Sequence, residues 1–136
     1  MILGNVYELF KSVKDGGEGQ TKTRWINGRG VHILIDPETS EFQDLASGLS
    51  HLPAGVSTEV HAHRAEEIAI VVAGAGELKV GSRIFPLVVG DVVAVPSQVP
   101  HQTIAHPKSP LSVFWVYAPP EGIDRWRLRE DDEEVQ

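Results

Sequence analysis

Three histidines and a glutamate occupy two separated segments of this 136-residue chain. The first segment contains His61, His63 and Glu67, and the second ends at His101. Because side chains of an extended strand alternate between its faces, residues 61, 63 and 67 point the same way. Imidazole nitrogens and a carboxylate oxygen suit divalent ions of the first transition row, whereas a calcium site is built from oxygen alone. The pattern predicts one metal site, with Mn, Fe, Co, Ni, Cu and Zn all compatible.

The first segment alone leaves two interpretations open, since a His-x-His pair on a solvated strand face needs no ligand. The second segment, residues 90–101, favours the metal site because a turn, an apolar strand and a second turn precede its histidine. A carboxylate also stands beside Glu67. Glu66 has the opposite strand parity and would be a ligand only if the chain bulged after His63, so we predict Glu67.

The two segments resemble the two sequence motifs of the cupin superfamily. The first motif is Gly, five residues, His-x-His, three or four residues, Glu, six residues, Gly, and residues 55–74 fit it at every spacing. The second is Gly, five residues, Pro-x-Gly, two residues, His, three residues, Asn. Residues 90–105 keep its first Gly, its Pro and its His, but Gln98 replaces the second Gly and Ala105 replaces the Asn. Neither replaced position is a metal ligand in the family.

The resemblance implies an all-β fold, the double-stranded β-helix or jelly-roll barrel of the RmlC-like cupins. The pattern of apolar residues supports the same fold class, because short apolar runs separated by Gly, Pro, Asp and Ser predict an antiparallel barrel or sandwich. We expect residues 1–30 to form an N-terminal arm with an edge strand, residues 31–119 the barrel, and residues 120–136 a short helix and an acidic tail. An exposed arm of this kind can pair with the sheet edge of a neighbouring chain. Cupin-like proteins are commonly homodimers, so the resemblance and the arm together predict a homodimer.

Composition narrows the classes of function. The chain is long enough for one domain, and its lack of cysteine excludes disulfides, thiolate ligands and a cysteine nucleophile. A net charge of -7 argues against nucleic acid as a partner. The N-terminus lacks the features of a signal peptide, and no apolar run approaches the length of a membrane span. We therefore expect a cytoplasmic protein that does not bind membranes.

Four protein ligands leave about two positions of an octahedron for water or substrate. An ion in such a site can polarise a carbonyl, stabilise an enolate, acidify water or, if redox-active, bind dioxygen. His51, Gln98 and Tyr117 are the candidate catalytic residues. Tyr117 shares a strand face with Trp115 and is a possible proton donor, with Trp115 as an apolar wall or core residue.

Each of the other two candidates has a structural alternative. His51 precedes the first motif and can act as an acid or base, but its face is not fixed by the sequence and a hydrogen-bonded structural histidine fits equally well. Gln98 can reach a substrate from the turn before His101, or it can face solvent.

Two classes of function follow from this site. One is a metal-dependent enzyme acting on a small oxygenated molecule such as a carbohydrate, keto acid or phenolic compound, by isomerase, lyase or dioxygenase chemistry. The other is a binding or sensing module that captures a small ligand without chemistry. A fold shared by so many activities does not choose between them.

Overall fold

The computed structural model describes residues 3–14, 23–38 and 40–120. Within these ranges one helix, α1 (Val6–Lys14), precedes eight strands. The strands are β1 (Thr23–Ile26), β2 (Arg29–Ile35), β3 (Ala46–Leu52), β4 (Glu66–Val80), β5 (Arg83–Val88), β6 (Val92–Val95), β7 (Gln102–Ala105) and β8 (Leu111–Ala118). Of the segment predicted to form a C-terminal helix and acidic tail, residues 120–136, all but Pro120 lies outside the described residues.

The strands form an antiparallel sheet in the order β1-β2-β3-β8-β4-β5, with β6 and β7 also paired to β4. Strand β4 organises this arrangement because its 15 residues serve two sets of partners. Its first half pairs with β6 and β8, and its second half pairs with β5 and β7. The predicted antiparallel all-β fold is confirmed. One consequence is that the two predicted ligand segments, before β4 and before β7, are brought to the same region.

Gly74 marks the point where β4 changes partners. The register between β4 and β8 shifts just before it, and its backbone has a φ of 78°, in the left-handed region that favours glycine. A Cβ atom there would lie 1.6 Å from the carbonyl oxygen of Pro110. The last glycine of the first motif is therefore required by the close approach of β4 to the start of β8.

Two apolar clusters fill the barrel. Val31, Ala46, Ala69 and Trp115 form one of them. The other is larger and consists of Leu52, Val71, Leu78, Leu87, Ala105 and Leu111. Complete burial of one such leucine contributes about 1.5–3 kcal/mol to folding. The members of these clusters on β3 and β8 show which face of each strand points into the barrel. Because side chains alternate along a strand, the remaining residues of β3 and β8 can be assigned to the inner or the outer face.

The outer side of β2 and β3 carries α1 and the aromatic side chain of Trp25. Strand β1 pairs with β2 in its own chain and lies at the edge of the sheet. The part of the chain that the structure describes contains no helix whose length and apolar character would let it cross a membrane.

Candidate metal centre

The backbone places the histidines of the two segments side by side. His61 and His101 form an isolated antiparallel bridge in which each backbone N–H donates to the other residue's carbonyl, at 3.0 and 2.9 Å. The backbone N–H of Gln98 donates to the backbone carbonyl of His63 at 2.7 Å. The turn before β7 is thus fastened to both histidines of the first segment, which brings three imidazoles together from positions 40 residues apart in the chain.

The imidazoles lie close enough to share one ion. One nitrogen from each of His61, His63 and His101 lies within 4.8 Å of the others. Two nitrogens bound to one ion at about 2.1 Å are about 3.0–3.4 Å apart at cis octahedral or tetrahedral angles, so binding would draw the three rings slightly closer together. The Glu67 Oε2 atom is 3.4 Å from Nε2 of His63 and 3.7 Å from Nε2 of His101. Glu66, in contrast, is exposed.

The hydrogen bonds of the three rings select the form of imidazole that binds metals. Each Nδ1 meets a backbone carbonyl: His61 that of Glu59 at 2.9 Å, His63 that of Ala65 at 2.7 Å, and His101 that of Val99 at 2.8 Å. A carbonyl oxygen only accepts, so each Nδ1 carries the proton and each Nε2 keeps its lone pair. This orientation by a second hydrogen bond is what histidine ligands of metals ordinarily have. The residues therefore fit a divalent transition metal.

Electrostatics also favour neutral imidazole at this position. Burial lowers the pKa of His61, and the nearby charges of His101, Arg29 and His63 lower it further, while the hydrogen bond to Glu59 acts in the opposite direction. A pKa below the ordinary 6.5 leaves the ring uncharged at neutral pH. The lone pair of Nε2 is then available without displacing a proton.

A small cavity of about 50 Å³ opens beside the cluster. Its walls include His61, Glu67 and His101, together with polar side chains from other strands, namely Arg29, Ser50, Thr58, Thr103 and Tyr117. Trp115 contributes an apolar wall, and its Nε1 donates to Ser50 at 2.9 Å. A larger cavity, whose lining includes Val92 and Pro96, contains none of the three histidines.

Comparison with known proteins agrees with this geometry. The family model for the cupin domain matches residues 48–117, just over half of the chain. The chain belongs to the cupin family. An uncharacterised protein of Streptomyces coelicolor is 33% identical over 80 residues, which cover 59% of this chain and 75% of the relative. Members of the family bind small ligands and often form oligomers.

Solved structures of other cupins share the fold. A cupin 2 conserved barrel domain protein from Salinispora arenicola has a TM-score of 0.62 and 26% identity, over 76% of this chain and 86% of that one. A DMSP lyase from Ruegeria pomeroyi has a TM-score of 0.64 and 24% identity, over 74% of this chain and 57% of that one. The predicted cupin barrel is confirmed, while the likeness to the lyase concerns the fold alone.

The structure brings one of the three predicted catalytic residues to the cluster. Tyr117 lines the cavity, and its ring centroid is 5.1 Å from that of His63. His51 lies on the opposite face of β3 from Ser50 and Leu52, which line the cavity. Its Nδ1 is 2.7 Å from the hydroxyl of Ser112, and its ring contacts Phe10 and Trp25. The structure therefore does not bring His51 to the candidate site.

Gln98 occupies the position of a motif glycine and adopts the backbone of one. Its φ is 64°, in the left-handed region, and the residue is exposed. The turn of this cupin therefore keeps the shape that glycine favours, although a non-glycine residue there costs about 1–2 kcal/mol. The other departure, Ala105, is buried in the larger apolar cluster.

Sequence reasoning missed Arg29. This residue is 7% exposed, its guanidinium Nη2 is 3.7 Å from Glu59 Oε1, and it lines the cavity beside His61. A detectable signal was present: Arg29 follows an Asn-Gly pair typical of tight hairpin turns and shares strand parity with the apolar Val31 and Ile33. A charged residue on the apolar face of a strand indicates a position selected for something other than solvation.

Proposed function

We propose that this cupin is a metal-dependent enzyme acting on a small oxygenated molecule. One divalent ion would be held by the imidazoles of His61, His63 and His101 and by the carboxylate of Glu67. Such an ion supplies Lewis acidity, or redox chemistry if it is redox-active, at a position open to a second molecule. Isomerase, lyase and dioxygenase reactions all fall within this proposal.

The orientation of the three rings is the observation that carries it. Histidines that served only for packing would not need all three rings to be held as the same tautomer, with Nε2 left as the acceptor. Glu67 adds the negative charge that partly balances a divalent cation. The adjoining cavity supplies room for a reactant, which distinguishes this arrangement from a closed structural site.

Tyr117 is the residue that we propose moves a proton. Its phenol lines the cavity next to the histidine cluster, and a phenol positioned within reach of a reacting oxygen can donate or recover a proton during the reaction. Trp115 and Tyr117 stack with their centroids 4.6 Å apart, which limits the rotation of the tyrosine ring. A positioned acid of this kind contributes about 10²–10⁴ to a rate.

The test begins with elemental analysis of the purified protein, followed by aerobic and anaerobic turnover assays on keto acids, sugars and catechols with each candidate ion. We expect one ion per chain in the wild type and loss of both metal and turnover in His61→Ala and His101→Ala. Tyr117→Phe should keep the metal and lose turnover about 100-fold or more. Full activity in either histidine variant would contradict the proposal, and binding without product under all conditions would favour a sensing module.

We further propose that the protein is a homodimer. The position of β1 at the edge of the sheet supports this, because the outer backbone groups of an edge strand can pair with a second chain. Sedimentation of the full chain at micromolar concentration tests the proposal, and a monomer there would contradict it.

A further inference from the structure

Arg29 brings a permanent positive charge to the candidate site. Its side chain is 8% exposed, and an arginine guanidinium stays protonated at any physiological pH. Arg29 is the first residue of strand β2 and directly follows the turn at Asn27 and Gly28. The position of its Cα atom is therefore set by the strand and the turn. The cavity wall that includes Arg29 also includes His61 and Tyr117.

The charges around the cavity favour an anionic occupant. Among the described residues that line it, Glu67 supplies the one carboxylate and Arg29 the one guanidinium, so their formal charges cancel. A divalent ion on the histidines would leave a net charge of about +2 facing the cavity. Arg29 pairs with the carboxylate of Glu59, whose side chain is 57% exposed and whose charge is therefore screened by water. An incoming anion can compete with such a partner.

The chemistry of the guanidinium narrows the kind of anion. Its planar array of N–H donors matches the two oxygens of a carboxylate through parallel hydrogen bonds. The cavity volume of about 50 Å³ corresponds to about three to five water-sized groups. That space suits a short-chain acid, with one end on Arg29 and the other toward the histidines, better than a sugar ring.

We propose that the substrate or ligand of this cupin is a small carboxylate, held through its carboxylate group by Arg29 while its second oxygen function faces the histidine cluster. This inference rests on the proposed metal site for the role of that second oxygen. The hydrogen bonds from Arg29 to the carboxylate do not involve the metal, whereas a bound ion would add to the positive charge that attracts the anion.

Calorimetric titration with pyruvate and with its neutral amide, pyruvamide, tests the anchor on the full chain, after unbound metal has been removed by gel filtration. We expect the wild type to bind pyruvate more tightly than pyruvamide. Arg29→Gln should weaken pyruvate binding about 10- to 100-fold and leave pyruvamide binding nearly unchanged. Arg83→Gln is the matched control, since Arg83 is exposed and stacks on Phe85 away from the cavity, and its pyruvate affinity should equal that of the wild type.

A second variant carries the test if Arg29→Gln does not fold. Glu59→Gln removes the exposed carboxylate that competes for Arg29, so pyruvate should bind about two- to fivefold more tightly. Undetectable pyruvate binding in the wild type, unchanged affinity in a folded Arg29→Gln, or unchanged or weaker affinity in Glu59→Gln would each overturn the inference.

Elemental analysis of the same samples separates this inference from the proposed function. Wild-type protein that contains no metal and still prefers pyruvate to pyruvamide would refute the metal site while supporting the anchor. Protein that contains one ion and does not distinguish the two compounds would overturn the anchor while leaving the metal site in place.

Discussion

His101 and His51 are both nearly inaccessible to solvent, at 3% and 5% exposure, yet their surroundings differ completely. The ring of His101 is held by a backbone carbonyl and stands among two other imidazoles and a carboxylate. The ring of His51 is held by the hydroxyl of Ser112 between two aromatic side chains. Burial therefore does not separate a candidate metal ligand from a packed histidine, whereas the partner of Nδ1 and the surroundings of the ring do.

The difference arises from strand alternation. His51 follows Ser50, which lines the cavity, and so projects to the outer side of β3, where α1 covers it. A hydroxyl can donate or accept, so Ser112 does not fix the tautomer of His51, whereas the carbonyl of Val99 fixes that of His101. The interior of the barrel favours a metal ligand at His101, and the outer face of β3 favours a packed, hydrogen-bonded ring at His51.

Substituting these two histidines in parallel should give the largest difference between the two positions. His101→Gln should weaken metal binding by more than about 100-fold, because loss of a ligand exceeds the 10- to 100-fold cost of losing an outer hydrogen bond. His51→Gln should retain one ion per chain and lower the free energy of unfolding by about 1–3 kcal/mol, through lost packing and the lost hydrogen bond.

Metal content by elemental analysis and urea denaturation of both proteins measure the two effects. Ser112→Ala is the matched control on the outer face, and we expect it to keep the metal and lose about 1 kcal/mol. Loss of the ion in His51→Gln at unchanged stability would show that the outer histidine belongs to the site after all.

Acid should reveal the environment of the inner histidines. The pKa of His61 is lowered in the folded protein, chiefly by burial, so the unfolded chain takes up a proton there first as the pH falls below 6.5. The contribution of His61 to stability is therefore complete above pH 6.5, declines below it, and is lost once the pH has passed the folded pKa. Urea denaturation of metal-free protein at pH 7.5 and 5.5 should show a larger drop for the wild type than for His61→Gln. Equal drops would contradict the assigned cause.

Much of this arrangement follows from the sequence, and the reason is periodicity. The spacing of His61, His63 and Glu67 predicts a shared face, Gly74 marks the point where β4 changes partners, and Gly90 lies in the turn between β5 and β6. The family motifs add His101, which local spacing alone could not connect to the first segment. The assignment of Glu67 and the histidines as ligands remains a prediction, now with distances compatible with it.

The sequence could not determine the face of His51 or the role of Arg29. Alternation gives only relative parity, and the stretch around His51 has polar and apolar residues on both faces, so inside and outside could not be told apart. Arg29 lies in β2 and reaches the cavity only because β2, β3 and β8 are neighbours in the sheet. That neighbourhood depends on long-range strand pairing, which local periodicity does not encode.

The smallest effect concerns the turn that leads into the inner cluster. Gln98→Gly should stabilise the protein by no more than about 1 kcal/mol, because relief of the left-handed conformation is partly offset by the greater freedom of glycine in the unfolded chain. Metal content should not change, since the backbone contact of residue 98 with His63 is kept. Thermal denaturation measures the shift, and destabilisation by more than 1 kcal/mol would indicate that the glutamine side chain has a structural contact of its own.

The pairing of His61 with His101 has a consequence for the topology of the chain. This protein has no cysteine, so no disulfide can join distant parts of its backbone. An ion shared by residues 61 and 101 would close a loop of 40 residues in the folded chain and would stabilise the fold through its preference for the folded state. Unlike a disulfide, a link of this kind would not be cleaved by thiol reductants, and it would be lost when a chelator removes the ion or acid protonates the histidines. A single bound ion would then set both the chemistry of the barrel and the conditions under which the barrel stays closed.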